Sequence, residues 1–71
     1  VPDARDVAIR DETIRLGQLL KLAGLAESGG HARELVQDGG VRVNDDVETR
    51  RGRQLRRGDL VDAAGERVRV V

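Results

Sequence analysis

Leu35-Val36-Gln37-Asp38-Gly39-Gly40-Val41-Arg42-Val43-Asn44-Asp45-Asp46-Val47-Glu48-Thr49 is where the chain changes its period. Before Gly39-Gly40 the apolar residues recur every three or four positions. After it they recur every second position. Val41, Arg42 and Val43 alternate in, out, in. Asn44-Asp45-Asp46 breaks the run as a turn, and Val47-Glu48-Thr49 resumes it, which predicts a hairpin. Two glycines therefore separate a helical half from a strand half.

Upstream, Leu16, Leu19, Leu20 and Ala23 form one apolar stripe at helical spacing, with Thr13 as the expected N-cap and Gly24 as the stop. Ser28 is the expected N-cap of a second helix whose buried face is Ala32, Leu35 and Val36. Val7-Ala8-Ile9-Arg10 reads as a short edge strand, and residues 1–6 as a flexible tail before a single domain over 7–71. Downstream, the octet Arg50 to Arg57 reads as a loop or irregular strand anchored by Leu55. Gly58-Asp59 is a turn, and Leu60 to Ala63 and Arg67 to Val71 are strands. The expected fold is α+β: two short packed helices followed by a small, mostly antiparallel sheet.

Composition narrows the function. The 71 residues carry 13 Lys and Arg against 13 Asp and Glu, for a formal net charge of zero. Five of the arginines nevertheless fall in that one octet, so attraction to a polyanion must come from one patch. There is no Cys, which excludes disulfides and thiolate metal sites, and no Phe, Tyr or Trp. A nucleic acid gripped by this chain is not gripped by stacking bases on aromatic rings. No apolar run reaches the ~18 residues of a membrane span, and the polar opening Val1 to Asp6 has no signal-peptide pattern. The expected location is cytoplasmic, with no membrane partner.

Ser28-Gly29-Gly30 would leave the first backbone amides of the second helix uncovered, a natural place for a phosphate. His31 lies in the same turn and Arg33 lies one turn further, off the apolar stripe. Arg15 and Lys21 fall off the stripe of the first helix, and Arg42 lies on the outward face of the first hairpin strand. Arg50, Arg51 and Arg53 present guanidinium forks that match phosphate oxygens, with Gly52 allowing close approach. The adjacent acids Asp11-Glu12 and Asp45-Asp46 point in different directions and form no catalytic pair. A single Ser and a single His, Ser28 and His31, have nothing to orient them as nucleophile and base. No enzyme activity, cofactor or metal is expected.

The ordered series Thr13-Ile14-Arg15-Leu16-Gly17-Gln18-Leu19-Leu20-Lys21, Ser28 to Val36, Gly40-Val41-Arg42-Val43-Asn44, Glu48-Thr49-Arg50-Arg51-Gly52-Arg53 and Gly58-Asp59-Leu60-Val61 resembles the S-four RNA-binding domain, also called the alpha-L motif. It is most similar to the small stand-alone bacterial version. The resemblance implies binding of structured RNA, often ribosomal, through the second helix and the adjacent hairpin, and no catalysis. From the residue readings and the resemblance together, the expected RNA contacts are Arg15, Lys21, Gly30, His31, Arg33, Arg42, Asn44, Arg50, Arg51 and Arg53. The implied partners are structured RNA and, through it, the ribosome or an RNA-modifying enzyme. The family places Asn-Gly where this chain has Asn44-Asp45, and Asp is about 1–2 kcal/mol worse than Gly in the left-handed region, so a wider hairpin tip is expected. Without stacking rings, recognition would rest on phosphate spacing, sugar hydroxyls and shape. With about 3–5 phosphates neutralised, log affinity would fall against log salt with a slope of about −2 to −4.5. Two competing readings are a protein-interaction module that engages an acidic partner and an accessory that docks on RNA to recruit a modifying enzyme.

Overall fold

The computed structural model describes residues 4–71. Strand β1 (Arg5–Val7) and strand β2 (Thr13–Arg15) precede helix α1 (Leu16–Leu22) and helix α2 (Gly29–Gln37). Strands β3 (Val41–Val43), β4 (Asp46–Val47), β5 (Gln54–Arg56), β6 (Leu60–Ala63) and β7 (Glu66–Val70) follow. Five strands form one sheet in the order β1-β7-β6-β3-β4, and β2 and β5 form a separate two-stranded ribbon. Every pairing is antiparallel except β1 with β7. The α+β class and the antiparallel character match the pattern of the sequence. None of the helices among the described residues is long and apolar enough to cross a membrane.

The alternation in β3, β6 and β7 sends Val41, Val43, Val61, Ala63, Val68 and Val70 to one face of the sheet. There they join Leu16, Leu19, Leu20 and Ala23 of α1 and Ala32 and Val36 of α2 in a single aromatic-free core. Leu35 is only partly buried at its margin. Both helices end as the glycines predict. Gly24 and Gly39 take φ of 74° and 76°, a left-handed conformation in which any other residue would be strained.

Three local readings are corrected. The first strand is Arg5–Val7 and not Val7–Arg10, so Arg5 and Asp6 belong to the sheet; Val1 to Asp3 lie outside the described residues. Its reason is tertiary: β7 offers a free edge, and Arg5, Asp6 and Val7 pair with Val68, Arg69 and Val70. Thr13 is not the N-cap of α1. It pairs with Arg56 across the small ribbon, and the cap position falls to Arg15. The hairpin tip is not wide. Val43 pairs with Asp46, leaving Asn44 and Asp45 as a two-residue turn with φ of 52° and 72°. Asn44 ties this turn to the start of β6. Its amide donates to Asp59 Oδ1 at 3.1 Å, and its carbonyl oxygen accepts the Leu60 amide at 3.0 Å.

Candidate nucleic-acid interface

The arginine loop is built onto the start of α1. That helix has no side-chain cap. Its first two amides instead donate to the loop, Leu16 to the Arg53 carbonyl at 2.8 Å and Gly17 to the Arg51 carbonyl at 3.0 Å. Two orphan donors of a helix N-terminus are thereby satisfied by the loop's own backbone. β5 continues the attachment by pairing with β2, with Leu55 fully buried beneath.

Glu48 fixes the other side of the loop. The register of the hairpin puts Val47 opposite Arg42 on the outer face, so Val47 is half exposed and Glu48 turns inward. This reverses the alternation expected for Val47-Glu48-Thr49. Glu48 is the one buried charged residue of the described chain, and it is fully engaged. Oε2 accepts the Arg50 backbone amide at 3.0 Å and Arg50 Nε at 3.2 Å, while Oε1 accepts Arg50 Nη2 at 3.3 Å and Arg53 Nη1 at 3.0 Å. The hydrogen bonds from Arg50, then from Arg53, outweigh the cost of burial and hold the Glu48 carboxyl at a pKa of about 2. The same bond pushes the Arg50 guanidinium further toward its charged form.

Arg51, between the two arginines that Glu48 holds, points elsewhere. It lines a groove of about 240 Å³ together with Arg15, Gln18 and Lys21 of the first helix and its cap, Gly29 and Ala32 of the second helix, and Gly17 and Gly52. Arg15, Gln18 and Lys21 follow one another at three-residue spacing and so form one ridge along α1. Among the described residues, no carboxylate lies within ion-pair distance of Arg15, Lys21 or Arg51. The groove's walls are bare at Gly29 and Gly52, while the Arg51 stem covers Gly17. A Cβ at Gly29 or Gly52 would touch nothing within 4 Å, and one at Gly17 would lie 2.6 Å from Arg51 Cγ. At the head of α2, Ser28 Oγ accepts the His31 amide at 3.1 Å as the capping prediction requires. The Gly29 and Gly30 amides before it have no acceptor among the described residues.

The remaining candidates are placed as follows. Arg33 is exposed and lies four residues after Gly29, on the groove flank of α2. His31 lies on the other flank, half buried, where Nδ1 accepts the Glu27 amide at 3.0 Å and leaves Nε2 as the donor of the neutral ring. The Asn44 side chain is engaged by Asp59 and the Leu60 amide. Arg42 is on the opposite face of the sheet from the helices and donates to the Asp45 carbonyl at 3.2 Å. It borders a larger concavity of about 320 Å³, but that one also contains Asp62, Glu66 and Arg67. Arg67 there is held between Asp62 at 2.7 Å and Asp45 at 3.0 Å, so its charge is cancelled locally. The smaller groove is the electrostatically coherent one. Glu48 and Gly17 were not predicted from the sequence. The available signals were an acid two residues ahead of an arginine run and a glycine inside a leucine-rich helix.

A family model described as S4 domain matches residues 7–71. The chain belongs to the S4 domain family. It is 45% identical over 62 residues to the Bacillus subtilis (strain 168) protein named Probable ribosome maturation protein RlbA, covering 87% of each chain. The solution structure of YbcJ from Escherichia coli, described as revealing an alfaL motif involved in RNA-binding, superposes with a TM-score of 0.73 at 34% identity, covering 99% of this chain and 90% of that one. The crystal structure of ribosomal protein S4e from Thermoplasma acidophilum has the same fold, with a TM-score of 0.67 at 21% identity over 87% of this chain and 33% of that one. The resemblance to the alpha-L motif is thus correct in family and in fold.

Proposed function

We propose that this S4 domain binds structured RNA, and ribosomal RNA in particular, through the groove between α1, α2 and the arginine loop. The observation that carries the reading is the convergence of Arg15, Lys21 and Arg51, from separate segments, on one groove that is bare at Gly29 and Gly52 and has no acid among its lining residues. Positive charge without a local partner attracts a polyanion, and walls without side chains let a sugar–phosphate backbone approach closely. Arg33 and the free amides of Gly29 and Gly30 extend the same surface along α2. Contacts of this type position an RNA by its phosphates and read shape more than sequence. The ribosomal assignment draws on the name of the Bacillus subtilis relative, and the RNA assignment on the description of YbcJ.

The test is ultraviolet crosslinking in cells, with the native chain compared against an Arg15→Ala/Lys21→Ala/Arg51→Ala variant. Ribosomal RNA should dominate the native crosslinks and fall away in the variant. Equal crosslinking by both would remove the groove as the site. Recovery of a protein partner with no RNA would replace the reading with a protein-interaction module.

A further inference from the structure

We infer that Glu48 is a positioning residue for RNA binding: it ties back Arg50 and Arg53 so that Arg51, lying across Gly17, is the loop arginine delivered to the groove. The inference rests on the reading of the groove as an RNA site and adds a division of labour among the arginines. Three observations carry it. Glu48 is buried and grips the backbone amide of Arg50 as well as both flanking guanidinium groups, so it fixes the path of the loop and not only its charge. The Arg51 carbonyl is anchored from the other side by the Gly17 amide at 3.0 Å. The Arg51 stem occupies the space that a Cβ on residue 17 would take, at 2.6 Å from Cγ and 3.1 Å from Cδ. An absent side chain on α1 and a buried acid after β4 thus set the position of the same arginine.

Charge counting and positioning predict opposite signs. Glu48→Gln adds one net positive charge and releases two arginines, so simple attraction would tighten RNA binding and steepen its salt dependence. Loss of positioning would weaken it despite the added charge. The measurement is filter binding of purified bacterial ribosomal RNA at several salt concentrations, with circular dichroism to check folding. Native, Glu48→Gln, Arg51→Ala and the double variant complete a cycle. Weakening of about tenfold is expected for Glu48→Gln in the native background, the scale of one charge-assisted hydrogen bond, and less than about twofold in the Arg51→Ala background. Tighter or unchanged binding, or an equal loss in both backgrounds, would overturn the inference.

Gly17→Ala supplies an independent route if the Glu48 variant does not fold. It improves helix propensity while displacing the Arg51 stem. It should also weaken binding, and only when Arg51 is present. Undiminished binding by Gly17→Ala would count against the inference as heavily as the first result. If the native chain retains no RNA on the filter, the function proposed above fails first and takes this inference with it.

Discussion

The groove and the outer face of the sheet hold similar charges and treat them oppositely. On the sheet, Arg67 is clasped by Asp62 and Asp45, and Arg42 bonds the Asp45 carbonyl. Asp62 is also the main cause of the upward shift of the Arg67 pKa. In the groove, Arg15, Lys21 and Arg51 have no carboxylate within ion-pair distance among the described residues. A chain of zero net charge thus brings three bases together without an ion-pair partner. Net charge would have concealed this, because the field close to a surface depends on local balance within about a Debye length, ~8–10 Å at ordinary ionic strength.

The largest expected break in this comparison comes from removing charge on each face in turn. Arg15→Ala/Lys21→Ala/Arg51→Ala should weaken ribosomal RNA binding by about 100-fold or more and flatten the log–log salt slope by roughly 2–3. Arg42→Ala/Arg67→Ala removes two arginines from the other face and should change affinity by less than about threefold. Filter binding at several salt concentrations measures both. Comparable losses would mean that the two faces do not differ in function.

Glu48 provides the next contrast, since it is an acid buried on the groove side. Glu48→Ala leaves the Arg50 amide and the Arg53 guanidinium without their acceptor and should destabilise the fold by about 1–3 kcal/mol in urea unfolding at pH 7. The acid dependence has a definite sign. Its folded pKa of about 2 is below the ordinary 4.5, so the unfolded chain binds the extra proton between those values. The stabilisation is therefore complete above about pH 4.5 and is lost as pH falls toward 2. Discounted for the exposure of Arg50, whose side chain is 77% accessible, it amounts to about 1–2 kcal/mol. Glu48→Gln should remove this part of the acid limb, and the two chains should approach the same stability near pH 2. An unchanged acid limb would mean that Glu48 is not held in its charged form.

The smallest effect is expected at the hairpin tip. Asp45 has φ of 72°, where Gly is preferred, yet its carboxylate also contacts Arg67. Asp45→Gly should stabilise by only about 0.5–1 kcal/mol, because relief of the backbone is partly offset by the lost ion pair. A net loss would show that the charge network on the outer face outweighs turn strain.

Sequence periodicity alone determined both helical stripes, the Ser28 cap, the glycine stops at Gly24 and Gly39, the β3–β4 hairpin and the pair β6–β7. Each of these depends on residues a few positions apart, and local spacing records such interactions directly. Arg15, Lys21 and Arg51 were also legible as candidates, since charge off an apolar stripe or within a basic run is a local property. Tertiary structure decided what local spacing cannot carry. It drew Arg5 and Asp6 into a parallel pairing with β7 and drew Thr13 out of its cap to meet Arg56. It turned Glu48 inward instead of Val47, and so determined which arginines of one run were neutralised and which one reached the groove. An ion pair and a strand edge depend on distance in space, and a run of five arginines carries no mark of which will find an acid until the loop has closed over the helix.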